Sequence, residues 1–215
     1  MNKAREWNLP VTAMGVMGLA MLAAMAAPAS AQNLILNPGF ETNTGFGSGQ
    51  TATSWSSDDA TQLFTDNDNV HGGLANLHVN DTTPFSGLRE FQMTPNGSIT
   101  GGLQYTFSFY ENPISIVNSN PQWDIQWFDA GGAFVSEVGF TAIPQSPTGA
   151  YQLDSNTVTA PATADHGQVI FLAAIGPGSV NMDIDDVSLS PVPEPASLSL
   201  LALGGLGLIA RRRRA

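Results

Sequence analysis

The 215-residue sequence predicts an all-β fold, a two-sheet β-sandwich. Three observations predict it. Apolar residues alternate with polar ones in short runs, the period of a half-buried strand. No segment of the body sustains an apolar 3.6-residue period over a dozen residues, so no amphipathic helix competes. Gly, Pro, Asn and Asp separate the runs at turn-like spacing.

Two terminal segments stand outside this pattern. Lys3 and Arg5 precede the uncharged apolar stretch from Val11 to Ala27, and Ala29-Ser30-Ala31 is a small-x-small cleavage site. This is the layout of a secretory signal peptide over residues 1–31, cut by signal peptidase to leave Gln32 as the first residue. The competing reading is a retained transmembrane helix. At the other end, Pro193-Glu194-Pro195 is a stiff break, because each proline fixes its own φ and biases the preceding residue away from helix. Residues 196–210 carry no charge, and Arg211, Arg212, Arg213 and Arg214 follow as a positive block that stays on the cytoplasmic side. At about 1.5 Å per residue the apolar run spans about three-quarters of a hydrocarbon core of roughly 30 Å, short but workable with thinning or snorkelling. A buried helix with a basic tail would show a polar face, and this segment has almost none. The tail therefore reads as a single-helix membrane anchor.

Residues 32–190 remain, about 160 residues, the size of one ordinary domain. In order, the expected strands are 33–37, closed by Pro38-Gly39; 74–79; 88–93, ended by Thr94-Pro95-Asn96-Gly97; and 105–110, with Tyr105, Phe107 and Phe109 on one face. Then come 123–128, with Trp123, Ile125 and Trp127 sharing a side, and, after the turn Asp129-Ala-Gly-Gly132, 133–140. Residues 151–159, 168–175 and 182–189 close the set. Eight or nine such strands make a two-sheet sandwich.

Charge narrows the partners. Only one of the seven Lys and Arg, Arg89, lies in the body, against sixteen of the eighteen Asp and Glu, a balance of −15. Such a surface repels phosphate backbones, so nucleic acid is excluded as a partner; it suits divalent cations or neutral sugars, and solubility alone accounts for much of it. The chain has no cysteine, which removes disulfides and thiolate chemistry.

The order Pro-Glu-Pro, short apolar segment, Arg cluster resembles the PEP-CTERM sorting signal of bacterial exported proteins, here over residues 191–215. The resemblance implies processing near Pro193-Glu194-Pro195 by a membrane-embedded exosortase. It also implies a transient stay in the inner membrane, and then the cell surface or a biofilm matrix rich in exopolysaccharide. A second resemblance lies in the body. Asn33-Leu-Ile-Leu-Asn-Pro-Gly-Phe-Glu41 and Ile184-Asp-Asp-Val-Ser-Leu189 resemble the first and last strands of family 4/9/22 type carbohydrate-binding modules, which are galactose-binding-like jelly rolls. It implies a jelly-roll sandwich and a structural calcium ion held by Glu41 and Asp185, with Asp186 the alternative. Calcium takes six to eight oxygen ligands, and the compartment outside the cell supplies it. The other reading makes Glu41 a turn cap and the two aspartates solvated.

Sugar binding needs an exposed aromatic face beside polar groups. Trp127 and Tyr105 sit mid-strand and belong to the core, and Trp55 is a packing residue. Trp123, at a strand start, and Tyr110, at a strand end before Glu111-Asn112, are the expected exposed rings. Asp66-Asn-Asp-Asn69 reads as an acidic loop and His71, His78 and His166 as solvated. Catalysis finds little support. Glu90, Glu111, Asp124 and Asp129 offer carboxylate pairs only because acids are abundant, and no nucleophile elbow is present. The reading is an exported non-enzymatic surface or matrix protein. Its body binds exopolysaccharide or, alternatively, serves as a purely structural component; a secreted glycoside hydrolase is the remote third.

Overall fold

The computed structural model describes residues 31–145 and 149–193. The signal peptide and the anchor expected at the two ends lie outside these residues, as do Glu194, Pro195 and Arg211 to Arg214. The compact body runs from Ala31 to Val192. Among the described residues there is no helix. Eleven strands form: β1 (Ser56–Ser57), β2 (Leu63–Asp66), β3 (Asn76–Asp81), β4 (Arg89–Met93), β5 (Gln104–Val117), β6 (Gln122–Phe128), β7 (Phe134–Glu137), β8 (Thr141–Ala142), β9 (Gln152–Thr159), β10 (His166–Leu172) and β11 (Ser179–Pro191). They make two antiparallel sheets. The first has the order β1-β4-β10-β6-β7, with β8 also paired to β6; the second has the order β2-β3-β11-β5-β9.

The alternation in the sequence decides which face of each strand is dry. On β5, Tyr105, Phe107 and Phe109 point inward and are buried; on β6, Trp123, Ile125 and Trp127 do the same. The two faces meet through rings. Phe107 lies 4.9 Å from Trp123, Phe109 lies 5.1 Å from Phe171 of β10, and Tyr105 lies 6.2 Å from Trp127. Aromatic pairs at these separations add to the burial of their large apolar area. Trp55 closes one end of this core against Phe40 at 5.0 Å, with its indole N–H donating to Asn37 O.

The expected first strand, 33–37, is not a ladder strand. Leu34 N donates to Leu189 O, and Asn33 Oδ1 accepts from Ile35 N and Leu189 N. The asparagine side chain thus takes donors that a ladder would have used. The chain then curls, with Asn37 and Phe40 at φ of 50° and 57°. That curl carries Glu41 toward β11. There β11 bulges between Asp185 and Ser188, Asp186 adopts φ of 48°, and Val187 N donates to Pro38 O. Successive strand side chains normally point to opposite faces; a bulge re-aims them.

Candidate functional site

The outer face of the second sheet carries a band of polar and aromatic side chains, of which Phe64, Asn76, Asn112, Asp183 and Asp185 are buried. Its register sets Phe64 opposite His78, His78 opposite Asp183, and Asp183 opposite Asn112. One step along, Asp185 stands opposite Tyr110, and Tyr110 opposite Leu153. Beyond these, Ser188, Ser108 and Ser155 form a row, and Ser190, Thr106 and Thr157 another.

Two clusters stand on this face. In the first, three carboxylates converge on the turn from His71 to Ala75. Glu41 Oε1 accepts from Leu74 N at 2.8 Å and Ala75 N at 3.2 Å. Asp185 Oδ2 accepts from His71 N at 2.9 Å and Gly72 N at 3.1 Å, and its Oδ1 accepts from Asp186 N. Asp186 Oδ2 lies 2.7 Å from His71 Nδ1. The turn needs its glycines. A Cβ on Gly73, whose φ is +66°, would collide with Glu41, and one on Gly72 would fall 2.9 Å from Asp186 Oδ2. Gly39 keeps open the space that the acids share. A Cβ there would lie 3.5 Å from Asp186 Oδ1, 3.6 Å from Asp185 Oδ1 and 3.7 Å from Glu41 Cγ.

Burial pushes the Asp185 carboxyl up to about 6; the N–H donors of Gly72, Asp186 and His71 pull it down, and the charge of Asp186 adds to the rise. The one described Arg or Lys, Arg89, is engaged by Asp58 at 2.8 Å. Among the described residues no Arg or Lys therefore reaches the cradle's acids, whose one basic neighbour is the His71 imidazole beside Asp186, and such a set of oxygens suits a hard cation. Among the described residues no three His, Asp or Glu side chains form a ready-made metal shell, so carbonyls and water would complete one.

The second cluster is aromatic. His71 stacks on Tyr110 with ring centroids 3.6 Å apart and meets Tyr151 edge-on at 5.3 Å. Asn76 Nδ2 donates to Tyr151 Oη at 3.2 Å and to Asp68 O at 2.7 Å. Burial, with the charges of Asp183, Asp185 and Asp186 behind it, raises the Tyr151 phenol, so it stays a donor. Asp183 Oδ1 lies 2.6 Å from His78 Nδ1, and Asn112 Nδ2 donates to Asp183 Oδ2.

The structure brings Glu41, Asp185, Asp186 and Tyr110 into this one neighbourhood. It takes Trp123 out: expected exposed, it retains 1% of its surface and faces the interior. Its place at a strand start does not free it, because it shares the inward face of β6 with Ile125 and Trp127 and packs on Phe107 of the other sheet at 4.9 Å. Asp185 is likewise buried rather than solvated. The histidines are not free surface groups: His71 and His78 are engaged as described, and His166 is buried beside Asp165 and stacked on Phe128 at 5.6 Å. Sequence reasoning missed Asn76 and Asp183; their positions on the outer face follow from strand register alone.

Residues 191–214 match the PEP-CTERM protein-sorting motif. No curated protein sequence matches the chain. Among solved structures, the CBM22-1 xylan-binding domain of Xyn10C from Paenibacillus barcinonensis is similar. It has 12% identity and a TM-score of 0.53, with 79% of this chain and 100% of that one covered. A family 16 carbohydrate-binding module matches at 13% identity and a TM-score of 0.52, covering 73% and 99%. The enzymatically active domain of bacteriophage CBA120 tailspike protein 4 matches at 14% identity and a TM-score of 0.53. There the match covers 74% of this chain but spans about a fifth, 21%, of the tailspike chain. At such identities the likeness establishes the fold and nothing finer. The sorting motif thus follows a body with the fold of carbohydrate-binding modules.

Proposed function

We propose that this is an exported, non-catalytic surface or matrix protein. Signal peptidase removes residues 1–31, an exosortase-type enzyme processes the tail at 191–215, and the jelly-roll body of residues 32–190 binds exopolysaccharide. The observation that carries the reading is the joining of a sorting motif to a body that shares its fold with glycan-binding modules. The outer face of the second sheet is the binding face. Tyr110, His71 and Tyr151 supply ring surface for sugar C–H groups, and the Ser and Thr rows supply hydrogen bonds to hydroxyls, while the buried Asn76 and Asn112 hold Tyr151 and Asp183 in place.

Calcium belongs to the same proposal. Glu41, Asp185 and Asp186 would hold it, and it would supply charge balance and a link between the chain's curl at 37–41 and the bulge of β11. A non-catalytic role is supported by where the acids lie. Glu90 and Glu111 face inward between the sheets, and Asp129 Oδ1 caps Gly131 N and Ala133 N of its own turn.

The purely structural reading has one observation of its own: His71 already covers Tyr110. Affinity electrophoresis of the full chain through gels containing soluble neutral polysaccharides tests the proposal. Retardation lost in Tyr110→Ala and Tyr151→Ala supports the binding face. Unretarded migration on every polysaccharide favours the structural role.

A further inference from the structure

The edge of the first sheet breaks at a specific place. β7 pairs with β6 at Gln126, Trp127 and Phe128, and β8 pairs with it again at Gln122 and Trp123. Between them, residues 138–140 arch away, with Gly139 at φ of +94° and Val138 N still bonded to Ile125 O. The residue under the arch is Asp124. It points outward from β6, yet it retains 0% of its surface.

Half of this carboxylate is accounted for. Asp124 Oδ1 accepts from Gly139 N at 3.0 Å. Asp124 Oδ2 is buried and has no hydrogen-bond partner. A buried carboxylate oxygen without a donor is costly, and native proteins rarely leave one so. Its neighbour worsens the position. Glu137, an exposed residue at the end of β7, brings its own carboxylate within hydrogen-bonding reach, and burial and Glu137 together raise Asp124. Gln126 gives its amide nitrogen to Glu137 Oε2 at 3.4 Å, which leaves its amide oxygen free. Among the described residues no Lys or Arg is at hand, since Arg89 lies beyond β10 on β4, engaged by Asp58.

We propose that Asp124 and Glu137 bind a divalent cation of the calcium type on the outer face of the first sheet, fastening the arch at 138–140 to β6. The orphaned Asp124 Oδ2 and the Glu137 carboxylate are the charged ligands, and the Gln126 amide oxygen is a third oxygen donor. Water completes the shell through the exposed side of Glu137. An all-oxygen, irregular and partly hydrated set suits calcium better than magnesium, which demands a regular octahedron, or zinc, which prefers nitrogen and sulfur. This site is separate from the cradle of Glu41 and Asp185, which lies at the second sheet.

The test is a calorimetric titration of the full chain, kept in mild detergent, with calcium chloride alone. Wild type, Glu41→Gln, Glu137→Gln and Asp124→Asn are compared. One calcium equivalent survives Glu41→Gln and weakens at least tenfold in both Glu137→Gln and Asp124→Asn. Melting in EDTA checks folding: Asp124→Asn keeps an acceptor for Gly139 and removes a charge, so it melts at or above wild type. Glu137→Gln alters only an exposed side chain and carries the test if Asp124→Asn does not fold. If Glu137→Gln and Asp124→Asn retain every equivalent at wild-type affinity, or if wild type binds no calcium that survives Glu41→Gln, the proposal is overturned. The two carboxyl groups then share a proton only.

Discussion

Asp186 and His71 link the two clusters of the outer face. Asp186 Oδ2 lies 2.7 Å from His71 Nδ1, while its Oδ1 borders the space that Gly39 keeps open among the acids. The same imidazole covers Tyr110. An exposed pair of this kind contributes about 0–1 kcal/mol, so Asp186→Ala changes the melting temperature in EDTA by only a few degrees. Its effect on calcium is larger. With calcium at about a hundred times its dissociation constant, the bound ion adds about 2.7 kcal/mol, a rise of roughly 5–10 °C for a domain of this size. Asp186→Ala and Asp185→Asn each reduce that rise in differential scanning calorimetry. Equal melting temperatures in calcium and EDTA for wild type would contradict the cradle.

Glu90 sets a pH dependence. Burial pushes its carboxyl up to about 8, with Asp58 adding to the rise. Glu111 is pushed up to about 7 by burial and then by Asp154. In both cases the folded chain holds its proton at a pH where the unfolded chain has released it. The native state therefore binds more protons between about pH 4.5 and 8, and stability falls as pH rises through that window. Glu90→Gln removes much of this slope and is more stable than wild type at pH 8.5 by a few kcal/mol, since one pK unit is about 1.4 kcal/mol. Denaturant melts at pH 5 and pH 8.5 check it; parallel pH slopes for the two proteins would contradict the assignment.

Trp123 belongs to the core and not to a ligand. Trp123→Ala costs about 3–5 kcal/mol, the usual toll for emptying a large buried site, and lowers the urea midpoint sharply. A variant with unchanged stability and a selective loss of glycan binding would return Trp123 to the surface.

These residues show how far the sequence carried. The inward faces of β5 and β6 were legible because Tyr105, Phe107 and Phe109, and Ile125 and Trp127, alternate cleanly. Trp123 was misplaced because its position at a strand start was weighed above its phase, which it shares with Ile125 and Trp127 and which faces Phe107 of the other sheet. β2, whose sequence is Leu-Phe-Thr-Asp, was passed over because it lies in a polar stretch and has too few residues to establish a period. Glu41, Asp185 and Asp186 were found through the motif at each end of the body. The stacking of His71 on Tyr110 was out of reach, because residues 39 apart in sequence meet only when β5 and the turn before β3 are folded together.

The tail makes a cellular prediction. Deleting Arg211 to Arg214 disturbs anchoring and sorting, so unprocessed chain accumulates or is released early in a fractionation experiment. Export and processing identical to the intact chain would contradict the role assigned to the arginine block.

The central claim is that the exported body binds the matrix around it. The direct measurement is retention of the purified protein on the producing cell's own exopolysaccharide, with calcium and with EDTA. The account predicts saturable binding that falls at least tenfold in Tyr110→Ala while the melting temperature changes little. Absence of binding in both conditions, with the protein folded, would contradict it and leave a structural component.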